Sequence, residues 1–338
     1  MVDQILKSKR IDWKAGRKEA RNFGKGMVFL LPTIILLGIF TIYPLFNTFM
    51  ISFKEYYNYI DDTHIKYGFA NYEYVLKSKE YLTALGNTMI IVFISVPITI
   101  MISLLISVAL NSVKPLQKFL QTLYFLPYVT NTIAIGMVFA VMFESEAGVV
   151  NSLLRTLGMD AVNWIGGTMA VGETATATKF TAMVVLITYI VWNSLPFKIL
   201  ILTSALQSID KQYYQAAQID STPKGRVFWH ITVPLLSPQI VYLMITSFIG
   251  AFKEYTSIVA IFGQEASLIN DSLNHKMATV VWYIYDNMGR LNYQAIVNGT
   301  EVVYSGVGYA AAGAFLLFII IMFFTAINSF VSKKRVHY

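Results

Sequence analysis

Long apolar runs dominate the pattern of hydrophobic and polar positions along this chain. A helix needs about 20 mostly apolar residues to cross the hydrocarbon of a bilayer. The runs that reach this length are residues 27–52, 87–110, 119–143, 179–205, 238–262 and 307–330. Several contain proline, which membrane helices tolerate when neighbouring groups satisfy the freed backbone. The pattern predicts an all-α, polytopic bundle of six transmembrane helices.

The segments outside these runs complete the predicted organisation. About 26 residues, rich in Lys and Arg, precede the first run, which is too long for the apolar core of a signal peptide. We therefore expect a basic tail at 1–26, a transmembrane domain at 27–330 and a short tail at 331–338. Residues 71–85 and 149–157 have apolar positions at helical spacing and predict short amphipathic helices on the outer face.

Composition and charge fit a membrane protein. Only 13% of the 338 residues are charged, whereas a soluble domain has about 25%. The net charge of +7 could suggest nucleic-acid binding, but the basic residues alternate with the predicted spans. With the N-terminus inside, the inner segments hold 16 Lys and Arg and the outer segments 7. Since Lys and Arg are retained on the cytoplasmic side, both termini are predicted in the cytoplasm, with no nucleic-acid partner. The basic tail is expected at anionic lipid.

Candidate chemistry within the chain is sparse. There is no Gly-x-x-x-x-Gly-Lys-Ser/Thr sequence to cradle ATP phosphates, and there is no cysteine. The four histidines are scattered, without the spacing of metal ligands. Asp61 and Asp62 are interpreted as a solvated acidic turn. We therefore predict no catalytic residues, no metal and no cofactor in this chain, and an integral membrane enzyme is the least favoured class.

The segment between the fourth and fifth runs, residues 206–237, is the longest predicted inner loop. Ser208 and Asp210 can cap a helix, residues 221–223 and Gly225 break it, and an apolar pattern resumes towards the fifth span. The pattern predicts a helix, a turn and a second helix at the inner surface.

This loop resembles the EAA loop in the permease subunits of ATP-binding-cassette (ABC) importers. The matching positions are Ala216, Ala217, Asp220, Phe228, Ile231 and Pro234, all at the spacing of the family. The sequence departs from the family at Gln215 for Glu, Ser221 for Gly, Thr222 for Ala and Val233 for Leu. Shorter motifs are similar to carbohydrate-uptake permeases of the MalF-like or LacF-like kind: YFLPY at 124–128, NSLL at 151–154, QSI at 207–209 and GYAA at 308–311.

The resemblance implies the type I permease fold and a function in sugar or oligosaccharide import across a bacterial cell membrane by alternating access. It also implies a second, different permease subunit, a cytoplasmic ABC ATPase dimer that binds ATP and Mg²⁺, and an extracellular sugar-binding protein. The loop, including Gln215, Ser221 and Thr222, would dock into the ATPase. At Gln215 we expect a hydrogen bond where the family has a charge.

Two clusters of aromatic and polar residues occur where maltose-type permeases contact sugar. The predicted substrate-path residues are Tyr189, Trp192, Asn193, Phe197, Phe252, Lys253, Glu254 and Tyr255. A charge at mid-membrane depth costs about 2.5–3.5 kcal/mol and usually faces a cavity or a partner. Adjacent helical positions point about 100° apart, so Lys253 and Glu254 cannot aim at one spot. They either pair with other helices or line the path.

An ion-coupled secondary transporter is the alternative function. Such a protein carries ion-coupling carboxylates within its spans. Only Glu254 meets this requirement, and the docking loop would have no role.

Overall fold

The computed structural model describes residues 13–113, 117–165, 179–263, 277–297 and 299–333, and most of them are helical. Four helices in this part of the chain are long and apolar enough to cross a membrane, or up to six if two bent helix pairs each count as one span. The predicted helical membrane bundle is confirmed. Residues 1–12 of the first predicted tail and residues 334–338 of the second lie outside the described residues.

The first span is a helix with one irregular turn. Helix α1 (Trp13–Leu37) passes through a π-helical turn (Gly38–Ile42) into α2 (Tyr43–Phe53). In that turn the Tyr43 N–H donates to the Gly38 carbonyl, five residues back, just before Pro44, which has no N–H to donate. The helix runs through the predicted boundary at residue 26. The most apolar part of this span buries none of its residues within the chain, so lipid or another subunit must cover it.

The core of the bundle is a long pair of helices. After a two-stranded ladder (β1, Lys54–Glu55; β2, Lys66–Tyr67) and a short helix α3 (Ala70–Lys77), α4 covers Lys79–Ser112. It packs along α8 (Lys179–Ser208). Small polar residues of α4 are buried in this contact, and the Ser107 hydroxyl lies 3.2 Å from the Ile199 carbonyl of α8. Small side chains let membrane helices approach closely.

The third predicted span, 119–143, is not one helix. The chain forms α5 (Gln117–Val129) and α6 (Thr132–Met142), which meet at a bend of 94°. Asn131 starts α6, because its side-chain oxygen accepts the Ile133 N–H at 2.9 Å and the Ala134 N–H at 3.3 Å. Pro127 lies within α5 near the break. The single continuous helix expected there was wrong because this polar cap restarts the helix in a new direction.

The fifth predicted span, 238–262, is also interrupted. Helix α12 (Ser237–Phe252) ends at Lys253, and α13 (Thr256–Phe262) begins after Tyr255. The Glu254 carboxylate accepts the Ser257 N–H at 3.0 Å and so caps α13. Lys253 and Glu254 therefore lie in a break between helices, and the argument that placed them 100° apart on one helix was wrong.

One end of the bundle carries most of the short elements. Helix α7 (Val149–Thr156) confirms the amphipathic helix predicted at 149–157, whereas the helix predicted at 71–85 is split at Ser78 into α3 and the start of α4. Two elements there were not predicted: helix α14 (Val280–Gly289) and a hairpin of β3 (Tyr293–Val297) and β4 (Thr300–Tyr304). The last helix, α15 (Val307–Lys333), packs against α14, α2 and α3. We call this the hairpin end.

The turn between β1 and β2 is held by a small polar cluster. Asp62 accepts hydrogen bonds from the Lys54 ammonium and the Tyr57 hydroxyl, each at 3.0 Å. These hydrogen bonds, with the Lys54 one the stronger influence, lower the pKa of the exposed Asp62 carboxyl. Burial, and then the hydrogen bond to Asp62, raises the pKa of Tyr57 to about 12.

Candidate coupling loop and substrate cavity

The helix predicted in the loop at 206–237 is present as α9 (Lys211–Ile219). The Asp210 carboxylate accepts the Gln212 N–H at 2.9 Å, as expected of an N-cap. Ser208 instead donates its hydroxyl proton to the Ala205 carbonyl at 2.7 Å, so it closes α8 and does not start α9. Because α4 and α8 run in the same direction, this loop lies at the end of the bundle opposite the hairpin end.

The turn after α9 has the geometry of a Schellman motif. The Thr222 N–H donates to the Ala217 carbonyl at 2.9 Å, and the Ser221 N–H donates to the Gln218 carbonyl at 3.0 Å. A Schellman motif requires the left-handed conformation at the residue before the last donor, which here is Ser221. Ser221 indeed has a φ of +48°. Glycine, which the EAA motif has at this position, adopts that conformation without a steric penalty. With Ser221 in place of glycine the turn still forms, but the left-handed conformation costs free energy that glycine would not cost.

The second half of the loop has a proline-linked irregular turn. Helix α10 (Lys224–Val227) leads into a π-helical turn (Phe228–Thr232) and α11 (Val233–Leu235). The Val233 N–H donates five residues back to the Phe228 carbonyl, directly before Pro234, which repeats the arrangement before Pro44. Gly225, expected to break the helix, lies within α10.

One side of the loop packs onto the bundle. Ala217 is buried, and Phe228 contacts an apolar cluster that joins three membrane helices. The buried members of this cluster are Leu104 of α4, Leu202 and Leu206 of α8, Leu236, and Leu243 of α12. The Tyr214 hydroxyl lies 3.3 Å from the Thr232 hydroxyl and links α9 to the π-helical turn. The loop therefore contacts α4, α8 and α12, and a movement of the loop acts on all three helices.

The other side of the loop is open. Among the motif residues, Gln215, Ala216, Asp220 and Ser221 are exposed, and Thr222, Ile231 and Pro234 are half-buried. Two large apolar side chains beside them were missed in the sequence: Ile219 is 84% exposed and Trp229 is 63% exposed. Their exposure at the end of a short helix, next to a polar turn, is typical of anchors for a protein groove.

A cavity of about 290 Å³ lies between α4, α8 and α12. Its wall is formed by Ser95, Val96, Thr99, Ile190, Ser194, Phe197, Lys198, Leu243, Thr246, Ser247, Gly250, Ala251 and Glu254. On α8 and α12 these residues recur at intervals of three and four, so each helix contributes one face. Hydroxyl groups from all three helices are mixed with apolar groups, a combination typical of ligand pockets.

The structure does not bring the predicted substrate-path residues together. Phe197 and Glu254 line the cavity, whereas the other six lie outside its wall: Tyr189, Trp192, Asn193, Phe252, Lys253 and Tyr255.

Three of those six have structural contacts elsewhere. The buried Tyr189 hydroxyl donates to the Thr132 carbonyl at 2.6 Å and so holds the start of α6. Trp192 contacts the Phe139 ring at 5.3 Å between centroids, and Tyr255 stacks on Tyr285 at 4.6 Å.

Lys198 lines the cavity and was not among the predicted substrate-path residues. It is 8% exposed, one turn beyond Ser194 on the face of α8 that also carries Phe197. A lysine inside an apolar span is itself a signal of a functional site, but it was counted only as a charge. Lys198 and Glu254 share the cavity without forming an ion pair.

The fold is a multi-span helical bundle with breaks near one cavity and an exposed helix–turn–helix that packs on three spans. This arrangement is that of a membrane transport permease of the ABC importer class, as the comparisons with known proteins show. The family model described as "Binding-protein-dependent transport system inner membrane component" matches residues 95–337. The chain belongs to this family, which supports the importer and not the ion-coupled alternative.

Individual relatives agree with this assignment. The chain is 27% identical over 304 residues to the arabinooligosaccharides transport system permease protein AraP of Bacillus subtilis, covering 89% of this chain and 86% of that protein. It is 29% identical over 265 residues to the lactose transport system permease protein LacF of Rhizobium radiobacter, covering 77% and 82%. A crystal structure of a bacterial ABC transporter involved in alginate import matches with a TM-score of 0.73 at 19% identity, covering 95% of this chain and 99% of that one. This last match shows the fold.

Proposed function

We propose that this chain is the permease subunit through which an ABC importer moves a sugar or oligosaccharide across the cell membrane. The observation that carries the proposal is the loop at 206–237, which exposes Gln215, Ala216 and Asp220 while Phe228 rests on the cluster joining α4, α8 and α12. Those same three helices form the cavity. A rigid element seated in a moving partner can thereby change the shape of the cavity.

The chain then works with partners that supply energy and substrate. A cytoplasmic ATPase dimer binds ATP and Mg²⁺ and receives the loop, a second, different permease completes the pathway, and an extracellular sugar-binding protein delivers the substrate at the hairpin end. The names of the relatives AraP and LacF support a carbohydrate as cargo. In this arrangement both termini are cytoplasmic, as the distribution of Lys and Arg favours.

The orientation can be measured directly because the chain has no cysteine. Asp220→Cys and Ile296→Cys place single thiols on the exposed loop and on the exposed hairpin. In intact cells, with the outer membrane permeabilised if there is one, an impermeant maleimide should label only Ile296→Cys, and inside-out vesicles should show the reverse. Labelling of Asp220→Cys from outside would contradict the orientation.

Transport itself is tested in proteoliposomes that contain the complete complex. We expect uptake of an oligosaccharide that requires ATP and stops when the ATPase carries an inactive nucleotide site. Uptake that continues without ATP while an ion gradient persists would instead support a secondary transporter.

A further inference from the structure

Lys198 is a buried cation with no counter-ion among the residues that the structure describes. It is 8% exposed, and within residues 13–113, 117–165, 179–263, 277–297 and 299–333 it forms no ion pair or hydrogen bond. Ser208 ends α8 ten residues later, about 15 Å away along the axis. Charges at such depth are costly and usually paired. The cavity wall that contains Lys198 therefore requires a negative group from elsewhere.

Glu254 does not meet this requirement. Its Oε1 already accepts the Ser257 N–H at 3.0 Å, and its carboxylate makes no ion pair with Lys198. A carboxylate in a cavity can also accept hydrogen bonds from sugar hydroxyls, whereas an ammonium group can only donate them. The two charges thus suit different groups of one ligand, an anion at Lys198 and hydroxyls at Glu254.

The rest of the wall favours a carbohydrate over a protein side chain as the source of the anion. Ser95, Thr99, Ser194 and Ser247 place hydroxyls on three helices around the same space. Phe197 adds an aromatic ring one residue from Lys198. The Thr99 and Ser194 hydroxyls donate to backbone carbonyls of their own helices, at 2.6 Å and 3.1 Å, and so offer only acceptor lone pairs to a ligand. A single acidic side chain would satisfy the ammonium but could not donate to these oxygens, whereas the hydroxyls of a sugar can.

We propose that the transported carbohydrate carries a carboxylate or another anionic substituent, and that Lys198 is the residue that selects it. The inference rests on the proposed carbohydrate function and adds the chemical class of the substrate. Lys198 binds the anionic group through its ammonium protons, while Glu254 accepts hydrogen bonds from sugar hydroxyls and the wall hydroxyls bond to the remaining sugar oxygens and hydroxyls.

The test is calorimetric binding to the detergent-purified complex of both permeases and the ATPase, without the sugar-binding protein. The probes are trimers of galacturonate, glucuronate and mannuronate, each paired with its carboxyl-reduced, neutral form. The variants are Lys198→Gln and Lys198→Arg, and Lys179→Gln, at the first residue of α8, serves as a control. The wild type should bind one acidic trimer at least tenfold more tightly than its neutral form. Lys198→Gln should abolish that preference, whereas Lys198→Arg and Lys179→Gln should keep it within about threefold.

Three other results would overturn the inference, and they differ in what else they affect. Equal binding of acidic and neutral trimers would remove the charge selection and leave a carbohydrate function intact. Failure to bind any of the six trimers would overturn the charge selection as well, and the ATP-dependent uptake assay would decide separately whether a carbohydrate is the cargo. Loss of the second permease from the purified Lys198→Gln complex would show that the counter-ion belongs to the partner subunit.

Discussion

The turn at Ser221 provides the sharpest test of how the loop is built. Its φ of +48° lies in the left-handed region, which costs a residue with a Cβ about 1–2 kcal/mol but costs glycine little and asparagine less than most. Ser221→Gly should therefore relieve the turn. Ser221→Val should strain it further, because β-branched residues tolerate this region least. Ser221→Pro should open it, since proline cannot reach this φ and removes the N–H that bonds to Gln218.

The assay is association of the ATPase with the purified permease pair, measured by surface plasmon resonance. If docking requires the closed turn, apparent affinity falls with the fraction of molecules that form it. A difference of about 1.4 kcal/mol corresponds to tenfold. We expect the Ser221→Gly variant to bind the ATPase at least as tightly as the wild type, and Ser221→Asn to match the wild-type affinity within about threefold. Ser221→Val should bind about tenfold more weakly, and Ser221→Pro should have the lowest affinity.

The matched pair is Ser221→Asn and Ser221→Val, because the two side chains are similar in size and differ in their tolerance of positive φ. If affinity followed side-chain size, so that Asn behaved like Val, contact with the partner and not backbone geometry would be responsible. Equal affinity for all five residues would refute the requirement for the turn. Membrane yield of each variant controls for insertion.

Three further predictions follow from the fold. Asn131→Ala removes the cap of α6 and should lower the free energy of unfolding by about 1 kcal/mol, seen as a lower melting temperature in detergent. A Cβ at Gly136 would lie 2.3 Å from the Ala260 Cβ, so Gly136→Ala should destabilise the packing of α6 on α13. Gly86→Ala, where a Cβ meets nothing within 4 Å, should be neutral or slightly stabilising in the same melting assay. Burial and the hydrogen bond to Asp62 raise the folded-state pKa of Tyr57 to about 12. The contribution of the Tyr57 hydroxyl to folding stability is therefore complete below about pH 10 and is lost between about pH 10 and 12. Tyr57→Phe should remove this step from a spectroscopic pH titration of the turn.

The membrane spans were predictable because their physical signal is long and local. Twenty consecutive apolar residues leave few alternatives to a spanning helix. The cap at Asp210 was predictable because Asp is a common N-cap residue and stands directly before a helical pattern. The helix breaks after Val129 and Phe252 could not be predicted from hydropathy, because an average over a window hides the few polar residues at which the chain changes direction. Asn131 and Glu254 cap new helices inside runs that remain apolar overall.

The candidate site was predictable in part for a related reason. The loop motif depends on local spacing, and α9 and its turn lie where that spacing indicated. The cavity depends on which faces of three distant helices meet, and a sequence without pairing information does not contain that relation. Tyr189 and Trp192 were chosen because their residue types suit sugar binding, but they pack elsewhere, while Lys198 was visible in the sequence and not selected.

The central claim is that the loop at 206–237 is the surface on which the ATPase acts. The most direct measurement is cross-linking from a single cysteine at Gln215, which is exposed on α9, in membranes that contain the whole complex; Ile296→Cys on the hairpin is the control. We expect a short photoactivatable maleimide on Gln215→Cys to capture the ATPase, with a yield that changes when ATP is bound, and Ile296→Cys never to capture it. Capture of the ATPase from the hairpin, or no capture from the loop in an actively transporting complex, would show that the ATPase acts elsewhere.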